Sequence, residues 1–370
     1  MINWNSKIKR AAFIGMLLVF SGCTSVKTLQ PQIVAAPVEV PEQPKTVSIA
    51  AVGDIMLGGK GLQRFEREGY DFPFAATRDV LQSADIAIGN LETSLTRTDR
   101  PFADKQYVFH NNPDKVAQAL RRAGFDIVSL ANNHSMDYGE QGLRDTFVAL
   151  DSAGIRHLGA GLNLAEARRA QVFHLDNGQT AAFLAYSNTF PEEFWAGVAS
   201  AGTAFGHEYQ VREDVARLAA QGIDVIVVSF HWGRERQTEL RGYQPLLAHA
   251  AIDAGADLVI GHHPHILQAV ERYKNGLILY SLGNYTFSTF SSNVNTGGMA
   301  KVNFVDGRFA GLELTPINVN NFDVQLQPGK LDGQALESAF TELNNLSLER
   351  GTRLRLLNGV ITIDENKPNF

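Results

Sequence analysis

Short apolar runs recur along this chain, and each ends on polar residues. VSIAAVG, ADIAIGN, DIVSLAN, TAAFLAYS, DVIVVSFHWG and ADLVIGHH are rich in β-branched residues and bounded by turn-forming positions. Runs of this kind predict strands buried on both faces. Between them, residues 114–123, 139–153, 213–221 and 243–254 carry apolar side chains at helical spacing. The alternation predicts an α/β domain whose helices cover a largely buried sheet. Later, extended runs flank Lys274-Asn275-Gly276, and two more flank Asp306-Gly307. Asn-Gly and Asp-Gly favour tight hairpins, so antiparallel strands are expected to join the sheet system late. Leu331 to Leu348 has the pattern of a terminal helix, and the last residues read as peripheral.

The N-terminus follows a different grammar. MINWNSKIKR carries Lys7, Lys9 and Arg10, AAFIGMLLVF is an apolar core, and SGC follows, which is the order of an export signal. The core is shorter than the roughly 20 apolar residues of a membrane span. Cys23 is the only cysteine, so it is either a spare thiol or a modified residue. Phe20-Ser21-Gly22-Cys23 resembles the bacterial lipobox, with Phe20 where that motif usually has Leu. The resemblance implies that Cys23 is acylated and anchors an exported lipoprotein to a membrane. Thr24, rather than Asp, follows the cysteine, which implies the periplasmic side of the outer membrane if the cell is Gram-negative. The expected organisation is a signal peptide over 1–22 and a Pro-rich tether over 23–45. A folded domain over 46–320 and a C-terminal extension with a helix over 321–370 complete it.

Composition narrows the function classes. At 370 residues, 44% hydrophobic and 19% charged, the chain is of ordinary globular type. Its formal net charge of -6 supplies no basic field, which argues against a nucleic-acid partner.

The candidate chemistry sits where the strands end. Asp54 closes the first apolar run, Asn90 and Glu92 the second, and Asn133 and His134 the third; His231 closes a later one, and His262, His263 and His265 the last. Strand carboxyl ends in open α/β sheets border the ligand crevice, so distant loops can bring these groups together. Carboxylate, carboxamide and imidazole without thiolate suit one or two divalent ions such as Mn, Zn or Fe. His263-x-His265 lets two imidazoles point the same way from an extended segment. Asp137 and Glu235 are placed either to orient ligands or to cap loops. Asn284 is placed to touch substrate or to make an Asx turn. Trp232, beside His231, is placed to line a groove, Trp195 reads equally as core, and Met56 reads as packing. His110, His157, His174, His207 and His249 read as surface or supporting residues.

GDIML, GNLET, ANNHSMDYG, FHWGRE, GHHPH and SLGNYTF, in this order over residues 46 to about 320, resemble the CapA-type family of poly-γ-glutamate capsule synthesis proteins. That family is similar to the calcineurin-like metallophosphoesterases, which implies a four-layer α/β/β/α sandwich of two facing mixed sheets. The resemblance implies Asp54 on one metal, Asn133 and His231 on a second, and His263 and His265 divided between them. His134 would be the general acid or would stabilise the leaving oxygen. Met56 stands where the metallophosphoesterase motif has His, and Asn90 where it has a bridging Asp; Glu92 could supply that carboxylate instead. His262 fits the Gly-x-His-Pro-His pattern less well than its neighbours. The implied function is lipid-anchored biosynthesis of capsule poly-γ-glutamate or another cell-envelope polymer by metal-dependent hydrolase or transferase chemistry. One alternative is a non-catalytic accessory that binds the polymer or a membrane synthase. Another is metal-assisted chemistry at a peptide Cα with His134 as base.

Overall fold

Parity along the strands sets the layers. In the Thr46–Met56 strand, Val47, Ile49 and Ala51 point to one side and Ala50 and Val52 to the other, and all five are buried. In Val225–His231, Val225 and Val227 point one way and Ile226, Val228 and Phe230 the other. Both strands are apolar on both faces because each lies in a sheet covered on both sides. The computed structural model describes residues 43–102 and 105–364, together with Gly22. Cys23, the export signal and most of the tether lie outside the described residues. No helix among the described residues is long and apolar enough to cross a membrane.

Two large mixed sheets face each other. The larger has ten strands, with Thr46–Met56, Ile86–Leu91, Ile127–Ser129 and Arg156–Leu158 parallel and running from its middle to one edge. Thr296–Val305 and Arg308–Asn318 add antiparallel to the Thr46–Met56 side. The smaller has six strands, with Thr180–Ser187, Val225–His231, Leu258–His262 and Gly276–Leu279 parallel. Ile49, Ala51 and Val302 of the larger sheet and Val225, Val227 and Ile260 of the smaller fill one shared core. Pro113–Ala123 and Gly139–Ser152 bury Val116, Leu120, Leu143 and Leu150 on the outer face of the larger sheet. Glu208–Ala220 and Tyr243–Asp253 bury Val211, Val215, Leu247 and Ala251 against the smaller. The result is the four-layer α/β/β/α sandwich expected.

The late hairpins form at the expected turns. Lys274, and both Asp306 and Gly307, hold positive φ between their strands. A further hairpin, Leu354–Leu357 with Val360–Ile363, turns at Asn358-Gly359 and extends the larger sheet. Leu343 of the Gly333–Leu348 helix packs with Ile361 into the core between the sheets.

At the amino ends of the parallel strands, one device repeats. Asp85, Asp126, Asp224 and Asp257 each stand immediately before a strand. Each carboxylate accepts the backbone N–H of the residue opposite it on the neighbouring strand. The acceptors' partners are Ser48 at 2.8 Å, Ala87 at 2.9 Å, Thr180 at 2.7 Å and Ile226 at 2.8 Å. A slip of one residue would break these bonds and turn every side chain to the wrong face.

Burial pushes the Asp257 carboxyl up to about 6, against the lowering effect of the Ile226 N–H. A raised carboxyl binds its proton more tightly in the folded state, so its stabilising contribution is present at low pH and lost as pH rises through about 6. Asparagine keeps the acceptor oxygen and carries no charge. Asp257→Asn should match the wild type near pH 4 and exceed its stability at pH 8 by about 3 kcal/mol, read from urea unfolding at both pH values. An equal difference at the two pH values would contradict this account.

Candidate metal centre

At the opposite, carboxyl ends of the same strands, the register sets polar residues side by side. Asp54 lies opposite Asn90 on one neighbouring strand and opposite Asn284 on the other. In the smaller sheet His231 lies opposite His262. Glycine makes the close approach possible: a Cβ on Gly53 would lie 1.9 Å from the carbonyl oxygen of Gly283. Through that gap the Asp54 N–H donates to the same carbonyl at 2.9 Å. His263 and His265 leave the end of Leu258–His262 with φ of 94° and 61°. Such backbone is strained for a residue with a side chain, and here it turns the two imidazoles towards Glu92.

Asp54 is fully buried and receives contacts from both sheets. Asn90 Nδ2 donates to its Oδ1 at 2.8 Å, and the His263 backbone N–H to its Oδ2 at 3.2 Å. His265 Nδ1 lies 3.1 Å from Oδ2 and His262 Nδ1 3.4 Å from Oδ1. Burial alone would raise this carboxyl, but His262 and His265 outweigh it and hold Asp54 well below the usual carboxylate range. Against the opposition of burial, Asp54 and Glu92 raise His265 to about 9. Burial, aided by the charge on His265, lowers His263 to about 3. His231 is also held well below its ordinary value, by burial and then by His263.

Glu92 is the unsatisfied member. It is fully buried, and neither carboxylate oxygen has a hydrogen-bond partner. Burial and the charge on Asp54 push its carboxyl well above the ordinary range. Its Oε1 lies 3.7 Å from His231 Nε2 and 3.9 Å from His134 Nε2. Two groups converge with ligand atoms within 4.8 Å of one another: Glu92 with His263 and His265, and Asp54 with Glu92 and His231. An orphaned carboxylate at the junction of two such groups fits divalent cations, because burying an uncompensated charge is otherwise costly. Asn133 Oδ1 and His231 Nε2 face each other at 2.8 Å and present an amide oxygen and an imidazole nitrogen to one point.

His134 borders this cluster from a separate bond system. Its Nδ1 meets Asp137 Oδ2 at 2.7 Å, and the other Asp137 oxygen accepts from Lys105 Nζ at 2.6 Å. Asp137 thus fixes the ring with Nε2 towards Glu92. Burial leaves His134 below its ordinary value despite the Asp137 carboxylate.

Several residues do not fall where the sequence placed them. Trp232 does not line a groove: strand parity sends it away from His231 into the outer core, where it is fully buried, stacks on Phe230 at 4.5 Å and donates to the Tyr280 carbonyl. Asn90 spends both ends of its amide on Asp54, His231 and Asn132. Glu235 is exposed and makes no bond to the cluster; it borders the crevices on either side of it. Asn284 is buried and its Oδ1 meets His265 Nδ1 at 2.9 Å. Met56 packs fully buried, its sulfur accepting from Gly58 N–H and Ser288 Oγ. Trp195 is half-buried against Phe205.

Two residues escaped the sequence reading. Asn132, not only Asn133, organises the third strand end: its Nδ2 donates to Asn90 and the Leu91 carbonyl, and its Oδ1 accepts from His134 N–H and Ser135 Oγ. The doubled Asn in ANNHS was the available signal. Lys105 lies in a loop with no motif to mark it.

Two covered sheets that deliver buried carboxylates and imidazoles to one shared edge define the class: a four-layer α/β/β/α sandwich with a candidate metal centre at the strand ends. Within that class, the chain belongs to the bacterial capsule synthesis protein PGA_cap family, which it matches over residues 48–289. It is 31% identical to the capsule biosynthesis protein CapA of Bacillus anthracis over 290 residues, 77% of this chain and 70% of that one. It is 28% identical to the PGA biosynthesis protein CapA of Bacillus subtilis strain 168 over 319 residues, 86% of this chain and 82% of that one. Among solved structures, the NAD nucleotidase of Haemophilus influenzae aligns with a TM-score of 0.45 and 12% identity over 82% of this chain. This chain spans only 56% of that structure, and the likeness carries no weight for the chemistry.

Glu92→Gln should have two effects of opposite sign. Removing the unpaired charge should stabilise the metal-stripped protein at pH 8 by about 1 kcal/mol or more in thermal unfolding. The same change, like His231→Ala, should lower metal retained after dialysis by about tenfold or more, read by elemental mass spectrometry. Unchanged metal content in both variants would remove Glu92 and His231 from the ligand set.

Proposed function

We propose that this protein is exported, anchored to a membrane by a lipid on Cys23, and acts on capsule poly-γ-glutamate or a related cell-envelope polymer by metal-dependent hydrolase or transferase chemistry. The observation that carries the chemistry is the orphaned Glu92 carboxylate shared by two ligand groups. Asp54, Glu92, Asn133, His231, His263 and His265 would hold one or two divalent ions, with Mn, Zn and Fe all compatible with oxygen and imidazole ligands. Such an ion supplies Lewis acidity towards a phosphoryl or carbonyl oxygen. The protein's own part is proton transfer and positioning. His134 presents Nε2 to the cluster while Asp137 holds Nδ1, the arrangement of a proton-transfer group whose orientation is fixed from behind. Lys105 neutralises Asp137 and keeps that carboxylate in place. The relatives' names, which refer to capsule and PGA biosynthesis, support the polymer, and the sequence FSGC supports the anchor.

A second reading, an accessory that binds the polymer or a membrane synthase without turnover, is favoured by Asn90. Its neutral amide fills the place between Asp54 and His231 where a bridging carboxylate would divide its charge between two ions.

His134→Ala should leave metal content intact and lower product release from poly-γ-glutamate by about 100-fold or more, whereas His263→Ala should lose both metal and turnover. Metal binding without turnover, under Mn, Zn or Fe in turn, would select the accessory reading. For the anchor, Cys23→Ser should abolish incorporation of a clickable fatty acid and release the chain from the membrane pellet. Continued labelling of that variant would refute lipidation at Cys23.

A further inference from the structure

The cluster of ligands is a wall between two crevices. One, of about 460 Å³, is bordered by His134 and His265; the other, of about 550 Å³, by Asn133 and His263. Glu235 borders both. Each alone has the size of a small-molecule site, which is about 300–1,000 Å³. Both open to solvent and share Glu235, so together they run past the ligand cluster as a trough.

The lining repeats on the two sides. In the first crevice Lys60 and Arg236 are exposed, with side chains that make no ion pair or hydrogen bond to the described residues, and Tyr107 and Phe290 stand exposed beside them. In the second, the exposed Arg241 side chain is equally free, beside Phe190 and Tyr243. Arg236 is tied to the histidine loop by its backbone N–H, which donates to the Pro264 carbonyl at 2.8 Å. Three cations without a partner among the described residues, against one carboxylate in the two linings, stand out on a chain whose formal net charge is -6. Cations flanked by exposed rings suit a ligand that alternates anionic groups with methylenes.

We propose that the trough binds an internal stretch of a linear polyanion, with the chain passing over the metal centre and both ends free in solvent. The proposal rests on the polymer reading above and adds the mode of engagement. A site that reads a chain terminus needs a blocked end beyond the reacting bond. Here the lining continues on both sides, so the enzyme would act within chains and not from their tips.

The test uses the full chain in mild detergent, loaded with Mn, and oligomers of γ-linked glutamate as the probe. Oligomers bearing a bulky fluorophore on both termini should compete within about threefold of the same oligomers with free ends. Lys60→Glu with Arg236→Glu on one side, and Arg241→Glu on the other, should each weaken binding by about tenfold, more at low salt than at high, with thermal unfolding unchanged. Loss of binding on capping the ends, or indifference to charge reversal on either side, would overturn the through-chain mode. Absence of turnover while capped oligomers still compete would remove the proposed chemistry and leave the trough. Turnover that persists only on uncapped chains would keep the chemistry and overturn the trough.

Discussion

A single buried charge, Asp54, ties the molecule together. It sits at the end of the larger sheet's central parallel strand with no exposure to solvent. An ionised carboxylate in such a place must be compensated within the protein. The compensation comes from both halves of the sandwich: Asn90 from the same sheet, and His262, His263 and His265 from the Leu258–His262 strand of the other and its loop. The close backbone passage at Gly53, the left-handed turns at His263 and His265 and the placing of Asn284 all serve this convergence.

Because the imidazoles gather round one carboxylate, their protonation diverges. His265 takes the proton that pairs with Asp54, while burial and mutual repulsion keep His263 and His231 neutral. Neutral imidazoles are the form that binds cations. Glu92 stands across from them with neither carboxylate oxygen hydrogen-bonded, so the cluster is balanced on the Asp54 side and incomplete on the Glu92 side. A closed structural ion network would lack that asymmetry.

Much of this was legible in the chain. Strands buried on both faces announce themselves as continuous apolar runs, and the polar residues that close them marked the functional edge before any sheet was known. What a linear reading lacks is direction. Trp232 looked like a neighbour of His231, yet adjacent residues on a strand face opposite ways, and the ring belongs to the outer core. Asn133 caught attention for its motif, while Asn132, one position earlier, does the organising. Lys105 gave no signal because its partner Asp137 is 32 residues away. The final hairpin did carry one, Asn358-Gly359 between apolar residues, but its role depends on the larger sheet having a free edge there. Assignment of strands to one sheet or the other is a long-range property that no local pattern encodes.

The aspartates that precede four of the parallel strands have a consequence beyond holding their neighbours. They work at the pole farthest along each strand from the chemistry and act as a common zero mark from which strand lengths are counted. Residues at the other pole can then be exchanged without any strand losing its place. Alignment and reactivity are therefore heritable separately: the chain can revise its chemistry at one end while the ruler at the other stays unchanged.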